Sequence, residues 1–326
     1  MKRFFILASA AIVALASCTK TEVVYKDGPQ EIAFKKISGV MTKGEGDPEP
    51  LSGTMGVFAY TSDDKAYFVN NSTKQAEPKE FTKGDTYWEA DPKQYYPIQT
   101  ALDFACYAPY NSGWNYDHTN QTLTSVTYTA DEIKATDVLF GAEIYDDCTD
   151  NNPVVPVLFK HALAQVSVSV KTNVPTAINI TNVTLNGVAS KGKVAVDYNS
   201  TALNTVTWSE LDNTRSGYAW TGFTSPTVAD TPESCGEAYY FIANNYADAN
   251  LDSTNDLANG FAQTSFDVTY TMNGVEFTDK VSLSGAYWEM GKHYQYTITA
   301  NVVEIQFNPT VEVMVDVVKN DLTLEK

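Results

Sequence analysis

The sequence predicts an all-β protein made of two antiparallel β-sandwiches in tandem behind an export signal. Three observations carry that expectation. From Ile32 onward, β-branched and aromatic residues alternate with polar ones at period two; clusters of Gly, Pro, Asn and Asp interrupt the runs; and helical periodicity is nearly missing. In Val166-Ser167-Val168-Ser169-Val170, the valines share one face of a strand and the serines the other. One side then packs on a core while the other meets water. Many short strands with turn signals between them assemble as sandwiches.

The chain opens with Lys2 and Arg3, the apolar run Phe4 to Ala16, and then Leu15-Ala16-Ser17-Cys18. A membrane-spanning helix needs roughly 20 apolar residues, more than this run offers, and small residues precede the cysteine, so residues 1–17 read as a cleaved signal. The tetrad resembles the bacterial lipobox. That resemblance implies diacylglycerol on the Cys18 thiol, cleavage before Cys18 and acylation of the new amine; the alternative is an ordinary secretory signal with a coincidental cysteine. Each buried methylene contributes about 0.8 kcal/mol, and two or more acyl chains anchor where one does not. Residues 18–31 read as a polar tether.

The first strand follows at Ile32-Ala33-Phe34, and Thr42 to Pro50, rich in Gly, Pro and acid, reads as a loop after it. Strand patterns recur at Gly56 to Tyr60, Leu102 to Tyr107 and Val138 to Ile144, with a short helix at Ala130 to Ala135. After the valine strand, Thr172-Asn173-Val174-Pro175 breaks the pattern, which places one domain at 32–172 and a second at 173–326. The second carries strands at Ile178 to Leu185, Tyr239 to Ile242, Phe266 to Met272, Tyr294 to Val303 and Val311 to Val318, with a polar loop at Asp248 to Gly260. Met272-Asn273-Gly274-Val275 has the Asn-Gly centre of a two-residue hairpin.

The formal net charge is −18; residues 1–17 hold two cations and no acid, so the body after the signal carries −20. Such a surface repels nucleic acid and anionic lipid. Arg3 and Arg215 are the only arginines, so bidentate phosphate clamps are nearly absent and a phosphate-handling enzyme is disfavoured. Cys106, Cys148 and Cys235 match no metal or redox spacing, and a Cys106–Cys148 bridge has no support beyond its arithmetic.

Catalytic motifs are missing. Gly285 to Lys292 has one residue too many for a phosphate loop, and His293 stands where Ser or Thr is required. Asp248, Asn250 and Asp252 have the alternating oxygens of a calcium loop, but Ser253 replaces the turn glycine and Asn259 the bidentate Glu. His118, His161 and His293 each lack a second ligand at metal spacing, and His161 in an apolar strand reads as a hydrogen-bonded structural imidazole. No metal site, cofactor or catalytic residue is assigned, and the chain reads as no enzyme. Tyr87, Trp88, Tyr95, Tyr96, Tyr107, Tyr110, Trp114 and Tyr116 read first as core and strand pairing, second as a sugar-stacking platform.

Several segments in order carry a wider resemblance: the Cys18 tetrad, Ile32-Ala33-Phe34, Gly56 to Tyr60, Tyr87-Trp88 through Tyr96-Pro97 and Leu102 through Pro109. Asp137 to Gly141, Phe159 through Val166 and Trp288 through Tyr294 continue it. The chain resembles the fimbrillin-like family of Bacteroidales, the lipoprotein precursors of type V pilins. The resemblance implies two transthyretin-like sandwiches, transit to the outer membrane as a lipoprotein, and assembly with other fimbrial subunits by β-strand exchange. It further implies that a protease removes the lipidated first strand, here Glu31 to Ile37, by a cut in the Thr42 to Pro50 loop. Lys43 is the candidate, because that loop lacks the arginine after which the best-known members are cut. An uncut chain would stay lipid-anchored and suit a pilus base. Val311 to Val318 stands as either a donor strand or the last strand of the second domain. Asp252-Ser253-Thr254 resembles the O-glycosylation sequon of this bacterial group. The expected function is a structural subunit of a surface fimbrium; the alternative is a monomeric surface lipoprotein that binds glycan or host protein.

Overall fold

The structure, a computed structural model, describes residues 29–36, 53–98, 100–141, 144–146, 154–172, 178–189, 191–199, 205–211, 216–221, 233–234, 236–243, 264–283, 288–300 and 305–313. The chain begins with β1 (Ala33–Lys36), β2 (Thr54–Thr61), β3 (Lys79–Lys83), β4 (Trp88–Glu89) and β5 (Leu102–Ala108). There follow β6 (Asn115–Asp117), β7 (Thr122–Thr124), α1 (Ala130–Ala135), β8 (Leu139–Gly141), β9 (Ile144–Asp146), β10 (Val154–Val157), β11 (Phe159–His161) and β12 (Ala164–Thr172). Next come β13 (Ile178–Val188), β14 (Lys193–Asp197), β15 (Thr205–Ser209), β16 (Ser216–Thr221), β17 (Glu233–Ser234) and β18 (Tyr239–Phe241). The described strands close with β19 (Ser265–Met272), β20 (Val275–Ser282), β21 (Lys292–Ala300) and β22 (Ile305–Val313).

Four sheets result. A nine-stranded sheet runs β10-β1-β4-β3-β2-β5-β8-β11, with β9 also on β5, and a four-stranded sheet runs β15-β14-β7-β6. Further along, β17-β12-β21-β22, with β18 also on β12, faces β16-β13-β19-β20. Val166, Val168 and Val170 of β12 meet Ile180, Val183, Leu185, Phe266 and Val268 across that second pair of sheets. The serines between those valines lie on the opposite face, as the period-two reading requires.

The nine-stranded sheet is buried on both faces at β2 and β5. Met55, Val57, Phe104 and Cys106 join one core, while Phe58, Tyr60, Ala105 and Tyr107 join another shared with β6, β7, β14 and β15. A strand covered on both sides reads as a continuous apolar run, which is why Met55 to Tyr60 does not alternate with polar residues. Gly56 is required there: a Cβ would fall 2.1 Å from the Tyr107 ring. Tyr107 stacks on Trp114 at 4.2 Å, and the Trp114 Nε1–H donates to the Tyr128 hydroxyl at 3.1 Å. Tyr107, Trp114 and Tyr116 of the first-half aromatic cluster are therefore core.

Local signals act as expected. The helix forms over Ala130–Ala135, with Ile133 buried and Glu132 Oε2 accepting from both the N–H and the hydroxyl of Thr129 at 2.7 Å. These bonds hold the Glu132 carboxyl below its ordinary range. The β19–β20 turn has Asn273 and Gly274 at φ 51° and 77°, the left-handed pair of a type I′ hairpin.

Two long-range features differ from expectation. Two pairings are parallel, β1 with β10 and β12 with β21, in sheets that are otherwise antiparallel. The sheets also do not divide after Thr172, because β12 belongs with β21, whereas β14 pairs back onto β7 in the first sandwich and carries β15 on its other edge. The Trp208 Nε1–H of β15 donates to the Ala162 carbonyl at 2.9 Å, fixing that return. Alternation reports that a face is buried and is silent about which distant strand buries it.

Candidate functional site

The site is the slot that holds β1. Backbone pairing grips this segment from both sides: Ala33 to Lys36 run parallel to Val154 to Val157, and Ala33 and Phe34 run antiparallel to Glu89 and Trp88. The grip extends toward the amino end, where the Ile32 N–H donates to the Gln94 carbonyl at 2.8 Å and the Tyr96 N–H donates to the Gln30 carbonyl at 2.8 Å. Lys93 Nζ donates to Glu31 Oε2 at 2.7 Å, and that partner raises the lysine pKa. Among the described residues β10 is the outer strand of the sheet, the position that tolerates Pro156.

Ile32 and Phe34 are 0% exposed. Phe34 meets Phe81 edge-on at 5.0 Å and Phe104 edge-on at 5.2 Å, with Trp88 and Val155 opposite it on the flanking strands. Burial of the two side chains contributes about 1.5–3 kcal/mol each. Taking β1 out would expose the edges of β4 and β10 and an apolar floor of Phe81, Phe104 and Val155 between them. An extended peptide of apolar-x-aromatic pattern would satisfy the backbone groups and the floor together. The Trp88 indole N–H, buried beside this floor, has no partner among the described residues.

The first strand was legible from Ile32-Ala33-Phe34; the floor was not. Phe81 sits between charged neighbours in Lys79-Glu80-Phe81-Thr82-Lys83, and Val154-Val155-Pro156-Val157 carries a proline, so neither segment reads as a strand with conviction. Cys18, Lys43, Cys148, Cys235, the Asp248–Asp252 oxygens and the Asp252-Ser253-Thr254 sequon lie outside the described residues. Val311 to Val313 fall in β22, paired with β21, and residues 314–318 lie outside the described residues.

The remaining candidates are structural. Cys106 is a free, fully buried thiol whose pKa burial drives up, so the bridge considered for it is not formed. His161 Nδ1 is hydrogen-bonded to Asp137 Oδ1 at 2.9 Å with both groups buried, and His293 Nε2 to Ser167 Oγ at 2.8 Å. His118 stacks on Tyr60 at 4.5 Å, with Asp64 2.9 Å from its Nδ1. That contact has the distance of an ion pair but lacks hydrogen-bond alignment. Among the described residues no three His, Cys, Asp or Glu side chains converge to hold a metal ion. Of the aromatic cluster, Trp88, Tyr96, Tyr107, Trp114 and Tyr116 are buried, and Tyr87 and Tyr95 are exposed.

Comparison with known proteins gives one family model, described as fimbrillin-like, that matches residues 52–313. No curated protein matches the chain. Among solved structures, a fimbrial protein from Bacteroides vulgatus is 17% identical with a TM-score of 0.53, over 88% of this chain and 99% of that one. A candidate cell adhesion protein from Bacteroides uniformis is 16% identical with a TM-score of 0.54, over 87% of this chain and 99% of that one. Another from Bacteroides eggerthii is 12% identical with a TM-score of 0.52, over 89% and 97%. At these identities the likeness is one of fold.

Proposed function

The chain belongs to the fimbrillin-like family, and from that premise we propose that it is a structural subunit of a fimbrium at the cell surface, joined to other fimbrial subunits by strand exchange at the β1 slot. The observation that carries this reading is the two-sided insertion of β1: a short strand near the amino end fills a gap between β4 and β10 with Ile32 and Phe34 fully buried. In this reading Cys18 bears the lipid for transit to the outer membrane, and a cut at Lys43 frees β1. A strand from another subunit then takes the place of Ile32-Ala33-Phe34. The role is structural and not enzymatic.

Intact mass and amino-terminal sequencing of the protein from producing cells test the reading, together with gel electrophoresis without heating. The expected result is a lipidated Cys18 start in the membrane fraction, a start near Gly44 in the surface fraction, and SDS-resistant ladders in the latter alone. Cut material that runs only as a monomer would overturn the exchange. A single unlipidated form would overturn the export route.

A further inference from the structure

β20 ends its sheet, and among the described residues no strand pairs with its outer edge. Neither a proline nor a bulge interrupts it: all eight residues pair with β19 in one continuous register. Val275 and Phe277 lie on the same face as the core residues Phe266 and Val268, yet they are 56% and 38% exposed. Met272 and Val275 close the two-residue hairpin and so exchange hydrogen bonds with each other. The period of two then directs the backbone N–H and C=O of Glu276, Thr278 and Lys280 to the free edge. Glu276 and Lys280 are exposed, and neither has an ion-pair partner among the described residues.

We propose that β20 is a self-complementary edge that joins two copies of this chain, antiparallel and centred on Thr278. In that register Glu276 lies opposite Lys280 of the second copy and Lys280 opposite its Glu276, while Val275 meets Val281 on the inner face. Sliding the pair by two residues either way sets Glu276 or Lys280 against Thr278 and loses the ion pairs. Sliding by four sets Glu276 on Glu276 or Lys280 on Lys280, which repels. Charge thus selects one register from those the backbone permits. The same charges disfavour a foreign strand lacking the matching pattern, so they guard the edge as well as fit it. The contact is two-fold and closes on itself, so it links chains sideways and adds no length to a polymer. It is separate from the β1 slot and holds whether or not strands are exchanged there.

Cysteine cross-linking of the full chain tests it. At the centre of the register the two Thr278 Cα atoms lie about 5.5 Å apart, within disulfide reach. Two Val275 Cα atoms are offset by six residues, about 20 Å. Under mild oxidation Thr278→Cys is expected to give at least tenfold more dimer than Val275→Cys or the unsubstituted chain. Adding Glu276→Lys or Lys280→Glu to Thr278→Cys is expected to cut that yield several-fold, and mixing these two variants to restore it. All these positions are exposed, and circular dichroism confirms that the variants fold. Equal yields at 278 and 275, charge variants without effect, or cross-linking of residue 278 mainly to a different protein would each overturn the proposal.

Discussion

β1 and β20 make a useful pair. β1 has four residues and β20 has eight, yet the short strand is paired on both sides with its apolar residues sealed, while the long one ends a sheet with Val275 and Phe277 exposed to water. Strand length and β-propensity do not determine how much a strand stabilises its fold; the number of paired edges and the depth of the facing core do. The strand whose loss would open the larger apolar gap is therefore the smaller one.

Substitutions at matched positions can break that contrast. Phe34→Ala, which empties the space between Phe81 and Phe104, is expected to destabilise the full chain by about 3–5 kcal/mol in urea unfolding. A value below about 1 kcal/mol would mean that β1 is not the plug described. Gly56→Ala drives a methyl into Tyr107 and is expected to cost about 1–3 kcal/mol; Tyr107→Leu in the same chain should recover part of the loss, as a thermodynamic cycle would show. Glu31→Gln removes the pair with Lys93 at the mouth of the slot and is expected to shift the urea midpoint less than either core substitution, because water screens the exposed lysine. Phe277→Thr on β20 is expected to change stability by about 0.5 kcal/mol or less in dilute solution. A large loss there would show that the edge is already covered within one chain.

Local features were legible wherever the signal and its cause lie within a few residues. The Asn273-Gly274 turn, the helix over Ala130 to Ala135 and the first strand at Ile32-Ala33-Phe34 are of this kind. Pairings between distant segments were not. Nothing in Val166 to Val170 says that these valines line up beside Tyr294 to Ile298, and nothing in Lys193 to Asp197 says that it returns to Thr122 to Thr124. The slot shows both sides of this rule. Its plug could be read from alternation, but the floor of Phe81, Phe104 and Val155 is assembled from three segments whose own patterns are short, charged or broken by proline. Likewise the aromatic run from Tyr107 to Tyr116 signalled burial, and the neighbour that covers it, Trp208, lies far along the chain.

The crossing of β12 and of β14–β15 between the two sandwiches has a consequence for the order of assembly. A chain emerging from the ribosome amino end first would have Tyr116, Leu123 and Tyr128 in place long before Val194, Val196 and Trp208 arrive to cover them. β12 in turn waits for β21, more than a hundred residues later. Neither half can mature on its own schedule. The early sandwich is thus held incomplete until β12 and β13 of the later one have been made, which leaves an unfinished apolar surface for a chaperone to shelter in the interval.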